Sequence, residues 1–201
     1  ADFRLYWDNA YVVHHLYENK QDQILNILDE CEKANNPDLV YQFCSTSKIT
    51  FPGAGVAAFS ASKANVEDVK KIISAQTISY DKINQLRHVR FFKNLDGVKA
   101  HMVKHAAILQ PKFEMLLKLF AEKLSGRGVG SWIDPKGGYF ITYETIDGCA
   151  KDVVAKAKAA GMVMTGAGAP FPYGIDPKDS VIRIAPSLPP MEELREAGEL
   201  F

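Results

Sequence analysis

Residues 38–60, DLVYQFCSTSKITFPGAGVAAFS, restrict the folds open to this chain more than any other stretch. They read as an apolar strand (39–44), a hydroxyl cluster of Ser45, Thr46 and Ser47, a single lysine at position 48, a Pro-Gly-Ala-Gly turn and a second apolar strand (56–60). A lysine at the mouth of a sheet is uncommon, because stripping water from an ammonium is costly, and burial drives its pKa down toward reactivity. A neutral amine in such a place can form a Schiff base with a carbonyl. The same residues also read as a surface lysine in a strand-to-helix loop beside solvated hydroxyls, and on this stretch alone both readings stay open.

Upstream, residues 3–7 (FRLYW) form a short apolar and aromatic run that ends at Asp8, the pattern of a strand with a carboxylate at its C-terminal end. Residues 21–35 place Ile24, Leu28 and Cys31, with Leu25 and Ile27 beside them, on one helical face, and Asn36-Pro37 ends that helix. Strand, helix, strand is a right-handed crossover, so the two strands run parallel and their carboxyl ends share one edge. Asp8 and Lys48 are therefore expected on the same edge, where open α/β sheets bind ligands.

The 201 residues, 47% of them apolar, can bury one sizeable core or two small ones. Equal numbers of basic and acidic residues, 24 of each, argue against an electrostatic nucleic-acid binder. No apolar run approaches the length needed to span a bilayer, so no membrane partner is expected. Three widely spaced cysteines, Cys31, Cys44 and Cys149, two of them in apolar patterns, are expected as core thiols of a cytoplasmic protein, without a disulfide or metal site. The apolar start and the amphipathic close (MEELREAGELF) suggest a fragment of a longer protein.

Beyond residue 62 the periodicity is helical, with Val66, Val69, Ile72 and Ile73 at helix spacing after an Asn65 cap. Residues 74–80 interrupt it, and helices are expected over 81–92 and 98–124. The second carries His101, Met102, His105, Ile108, Leu109, Phe113, Leu116, Leu117 and Phe120 along one side, and so long a helix commonly bridges two lobes. A hairpin (129–133 and 139–144) follows with turn chemistry at 134–138, then a helix over 150–160 stopped by Gly161. A short strand at 162–164, a Gly/Pro-rich loop at 165–177, a strand at 181–185 and a closing helix complete a small α+β lobe.

Four ordered motifs carry a family resemblance: Asp8-Asn9-Ala10-Tyr11, Ser45-Thr46-Ser47-Lys48, Gly137-Gly138-Tyr139-Phe140, and Val181-Ile182-Arg183-Ile184-Ala185-Pro186. In order and spacing the chain resembles the C-terminal half of fold-type I pyridoxal-phosphate aminotransferases, and most of all the bacterial aspartate-aminotransferase-like branch termed MocR-like. The resemblance implies an α/β fold: the C-terminal part of the cofactor-binding large domain, a mostly parallel sheet with helices (residues 1–92), plus a small α+β domain (residues 93–201). It implies pyridoxal 5'-phosphate as cofactor, an α-amino acid such as aspartate and a 2-oxo acid as substrates, and a homodimer with sites built from both subunits.

On that resemblance, Lys48 matches the lysine that holds the cofactor aldehyde and moves the proton between the substrate Cα and the cofactor. Asp8 matches the carboxylate that keeps the pyridine nitrogen protonated, and its alternative is a strand-end cap. Tyr11 matches the phenol that bonds the ring oxygen, and its alternative is an aromatic core residue. Ser45 and Ser47 match the hydroxyls that bind the cofactor phosphate, or are turn residues. Arg183 matches the fork that grips the substrate α-carboxylate, or forms a structural ion pair.

One departure bears on the phosphate. Many relatives carry an arginine in a Gly-x-Arg-x-Gly run after the lysine, whereas here the run is Gly53-Ala54-Gly55-Val56-Ala57, without a cation. His14 and His15 are adjacent but make no metal signature, and the charged run 81–88 reads as a solvated helix face. Residues 166–170 do not form a dinucleotide fingerprint. Two other readings keep the fold: a lyase or decarboxylase retaining Asp8, Lys48 and Arg183, and the effector domain of a transcription regulator.

Overall fold

The computed structural model describes residues 3–201. The chain divides into two compact units, one comprising the chain through Val13 together with Asp22–Met102, the other His14–Gln21 with Val103–Phe201.

In the first unit, β1 (Leu5–Asp8) pairs in parallel with β2 (Val40–Ser45), in the register Leu5 with Val40 and Asp8 with Phe43. The strand β3 (Ala57–Ala61) then returns antiparallel to β2, so the sheet is mixed, in the order β1-β2-β3. Tyr6, Phe43 and Phe59 share one face, with Tyr6 stacked 5.9 Å from Phe43 and Phe43 6.2 Å from Phe59. Successive strand side chains alternate between faces, so Asp8 and Ser45 extend this same aromatic face toward the carboxyl edge.

Between β1 and β2 lies α1 (Ile27–Lys33), seven residues in place of the fifteen expected. Asn26 is the reason: its side chain accepts the Leu28 amide and starts the helix there, which leaves Ile24 and Leu25 exposed ahead of it. Helix α2 (Lys63–Gln76) is capped by Ser62, not by Asn65. The Ser62 hydroxyl accepts the Asn65 amide, while the Asn65 side chain is buried and donates to the Asp38 carbonyl, 2.9 Å away. Asp81 caps α3 (Lys82–Phe92). A small cluster of Ile49, Phe92 and Met102, with Val13 and Val98 against it, packs beneath the loop after β2.

Helix α4 (Leu95–Lys123) is the longest element at 29 residues and continues through Pro111. Its C-terminal part carries the core of the second unit: Leu109, Phe113, Met115, Leu116, Leu119 and Phe120, joined by Leu16, Ile141, Tyr143 and Leu194. Phe113 and Ile141 are fully buried, and each such side chain contributes roughly 1.5–3 kcal/mol by leaving water. Ile108, expected on this face, is 65% exposed: it falls one position outside the buried stripe that Leu109 begins.

The second sheet is antiparallel, in the order β4 (Gly130–Trp132), β5 (Ile141–Thr145), β6 (Val181–Ile184). Arg183 faces Thr142 across β5 and β6. Helices α5 (Ala150–Ala159) and α6 (Met191–Leu200) complete the unit. A Cβ on Gly198 would come 2.6 Å from Leu116 Cδ2, so the glycine lets α6 pack close against α4 without moving that side chain. The apolar run 162–164 is not a strand, and it joins none of the paired strands. Of the cysteines, all free, Cys31 is buried, Cys149 half-buried and Cys44 exposed, so the expectation of a core thiol fails at Cys44. No described helix is long and apolar enough to cross a membrane.

Candidate active site

Asp8 ends β1, and the pairing carries one step further, with the Asn9 amide donating to the Phe43 carbonyl at 2.8 Å. The chain then turns back: Asp8 Oδ1 accepts the Ala10 amide at 2.9 Å, and the Val12 amide donates to the Asn9 carbonyl. One carboxylate oxygen thus fixes the turn that presents Tyr11, exposed at 37%, and Asp8 also lines a groove beside it. That groove, of about 560 Å³, is lined by Asp8, Ser45, Tyr6, Phe43 and Phe59 among others, a volume within the range of small-molecule sites.

At the end of β2 the hydroxyls of Ser45 and Ser47 lie 2.7 Å apart, and the Ser47 amide donates to Ser45 Oγ at 3.0 Å. Gly55 backs onto them so tightly that a Cβ there would stand 2.6 Å from Ser47 Oγ and 3.1 Å from its amide nitrogen. Hydroxyls, an amide and a glycine-rich turn at a strand end form a polar cradle suited to an anion.

Residues 46–50 form one helical turn, the Ile49 and Thr50 amides each donating to the Thr46 carbonyl at 2.9 Å. Lys48 sits on this turn, exposed, so it is not a buried strand lysine; it lies three residues beyond the last residue of β2. Parallel pairing of β1 and β2 brings Asp8, Tyr11, Ser45, Ser47 and Lys48 to one edge of the first unit.

Arg183 belongs to the second unit. Its guanidinium lies 4.4 Å over the Phe140 ring, a cation-π contact worth roughly 0.5–2 kcal/mol. Its Nε is buried and has no hydrogen-bond partner among the described residues. A buried donor left unpaired costs on the order of 1–3 kcal/mol, which an anionic ligand would relieve. The strand that carries Arg183 is pinned at its start by Asp176, whose carboxylate accepts the Lys178, Ser180 and Val181 amides at 2.8–2.9 Å. Burial works to raise that carboxyl, and the surrounding backbone N–H groups outweigh it and hold it below the usual carboxylate range.

Several residues of this edge escaped the sequence. His88, expected on a solvated helix face, is half-buried and reaches Thr46 Oγ1 at 3.0 Å and Thr50 Oγ1 at 3.2 Å, while its Nδ1 lies 2.8 Å from the Asn84 carbonyl. The Asn84 side chain donates to the Ala54 carbonyl at 2.9 Å. The one signal was the four-residue spacing of Asn84, His88 and Phe92, which marks an inward stripe on α3.

Comparison with known proteins supplies the family. The aspartate aminotransferase family model matches residues 1–200, and the chain belongs to that family. It is 44% identical over 196 residues to the aspartate aminotransferase of Corynebacterium glutamicum, which covers 98% of this chain and 45% of that protein. The crystal structure of an aspartate transaminase from the same organism superposes with a TM-score of 0.94 at 43% identity, covering 99% of this chain and 47% of that one. A Thermus thermophilus α-aminoadipate aminotransferase shares the fold, with a TM-score of 0.75 at 17% identity and coverage of 98% of this chain and 49% of that chain. The chain spans about half the length of the curated relatives it matches.

Proposed function

We propose that this chain is the C-terminal half of a pyridoxal-phosphate-dependent aminotransferase of the MocR-like branch, acting on aspartate or a similar acidic amino acid and a 2-oxo acid. The observation that carries the reading is the shared edge of Asp8, Ser45, Ser47 and Lys48 beside an open groove, in a chain of the aspartate aminotransferase family. The residues fit pyridoxal phosphate: an amine for its aldehyde, a carboxylate for its ring nitrogen, and a hydroxyl and amide cradle for its phosphate. When bound, the cofactor supplies an electron sink that acidifies the substrate Cα–H. In a Thermus thermophilus relative of the same fold, the bound molecule is a phosphopyridoxyl amino acid.

The roles follow from the chemistry of each group. Lys48 holds the cofactor and, once released, takes the Cα proton as general base and returns it as general acid. Its exposed side chain on a hydrogen-bonded turn suits both tasks. Asp8 keeps the ring nitrogen protonated, Tyr11 donates to the ring oxygen, and Ser45 and Ser47 donate to the phosphate. Arg183 binds the substrate α-carboxylate, and its unpaired Nε supports that role. With no cation in the run 53–57, the glycine-rich turn and residues outside this chain answer the remaining phosphate charge.

The two parts, residues 1–92 and 93–201, correspond to the end of a large cofactor domain and a small domain, in a cytoplasmic homodimer. An absorption spectrum of the full-length protein with pyridoxal phosphate, before and after aspartate, tests the reading. A visible band that aspartate converts to the pyridoxamine form supports it. Ammonia or carbon dioxide as product in place of a 2-oxo acid contradicts it.

A further inference from the structure

A single helical turn is unstable by itself, since its few hydrogen bonds do not offset the ordering of its backbone. The turn 46–50 is nevertheless ordered, and what holds it comes from outside. The Thr46 amide donates to the Val56 carbonyl at 2.9 Å, and the Val56 amide donates back to Thr46 Oγ1 at 2.8 Å. From α3, His88 Nε2 meets the hydroxyls of Thr46 and Thr50. From α4, His101 Nε2 reaches the Ile49 carbonyl at 3.0 Å, and the Ile49 side chain is buried against Phe92 and Met102. Thr46 and Ile49, on either side of Lys48, are thus both tied to other elements.

The directions of these bonds are fixed by what each group can do. A carbonyl only accepts, so His88 carries a proton on Nδ1, donating to Asn84, and in the neutral ring its Nε2 is an acceptor. The Thr50 hydroxyl is occupied by the Thr46 carbonyl at 3.1 Å. Thr46 Oγ1 accepts the Val56 amide and therefore has its proton to give to His88 Nε2. His101 carries a proton on Nε2, because that nitrogen donates to the Ile49 carbonyl.

The geometry points to His88 as a positioning residue: as the Nδ1–H tautomer, its Nε2 accepts from Thr46 and so holds the backbone turn from which the Lys48 amine acts. The inference rests on the reading of Lys48 as the cofactor-bearing amine. It requires an acceptor at the Nε2 position rather than a ring, and glutamine supplies one where phenylalanine, a ring without nitrogen, does not. Thr46→Val removes the same bond from the other side, together with the bond that Thr46 Oγ1 accepts from the Val56 amide, and leaves α3 untouched.

The test uses full-length protein loaded with pyridoxal phosphate, comparing the parent with His88→Phe, Thr46→Val and His88→Gln. Two quantities are read: amide hydrogen exchange over residues 46–56, and the pH midpoint of the cofactor's visible band. Loss of the His88–Thr46 bond predicts exchange about tenfold faster in His88→Phe and at least as much faster in Thr46→Val, which also frees the Val56 amide, with the band midpoint displaced in both. His88→Gln returns both quantities close to the parent. Unchanged exchange in the two deletions overturns the inference, and so does faster exchange with an unmoved midpoint, which makes His88 a brace of the fold alone. A parent protein with no visible band instead overturns the functional reading, and exchange then decides the clamp without it.

Discussion

The carboxylate of Asp8 and the hydroxyl of Ser45 line one groove, because β1 and β2 run parallel with Asp8 opposite Phe43 and Ser45 two residues further along the same face. On the proposed reading, an acidic group for the ring nitrogen and a hydroxyl for the phosphate stand at one strand edge, one for either end of the cofactor. Asp8 is also held in place by the turn it makes with Ala10. Asp8→Asn removes the negative charge and keeps an oxygen for the Ala10 amide. The expected result is a holoenzyme that still forms its visible band but turns over slower by a factor on the order of a hundred, measured as kcat in single-turnover mixing.

Gly55 lies against Ser47 without room for a methyl group. Gly55→Ala therefore displaces the hydroxyl and amide of the proposed phosphate cradle. Titration of apoenzyme with pyridoxal phosphate should give a dissociation constant raised about tenfold, the value of one lost hydrogen bond, with a smaller effect on kcat at saturation.

Arg183 stacks on Phe140 and keeps a buried Nε without a partner. Lysine at this position retains the charge and loses the fork. Steady-state kinetics of Arg183→Lys should show kcat/KM lower by about ten- to a hundredfold for every amino donor alike, because the α-carboxylate is common to all of them.

Asp176 makes a prediction about stability in acid. Its folded pKa is depressed, so its contribution is present above the carboxyl pKa of the unfolded chain, about 3.9, and is lost as pH falls through the lower folded value. Thermal melts from pH 7 down to pH 3 should show Tm of the parent falling steeply at the acid end. Asp176→Asn should be less stable at pH 7 and its Tm should change less with acid, bringing the two curves together.

Much of this edge could be read in the sequence because local rules decide it. Two apolar strands separated by a helix must run parallel, which put Asp8 and the lysine turn together before any coordinates. Where two local rules competed, the reading went wrong. An apolar face over 21–35 implied a long helix, and the Asn26 cap cut it to seven residues. Ser62 and Asn65 are both good caps, and only the buried tie from Asn65 to Asp38 shows which one is free to cap. The run 162–164 is apolar enough for a strand but has no neighbour to pair with.

The His88 clamp was illegible for a different reason. Its bond to Thr46 crosses 42 residues and its contact with Thr50 38, and no periodicity encodes a contact of that range. The family motif singles out Arg183, whereas the partnerless Nε that argues for a ligand is visible only in three dimensions.

The central claim is that the Lys48 amine carries the cofactor. Full-length protein incubated with pyridoxal phosphate, reduced with borohydride and digested, locates the bond by the mass of the modified peptide. A single phosphopyridoxyl group on the peptide containing Lys48, absent from Lys48→Ala, is the predicted result. Label spread over surface lysines, or undiminished in Lys48→Ala, contradicts the account.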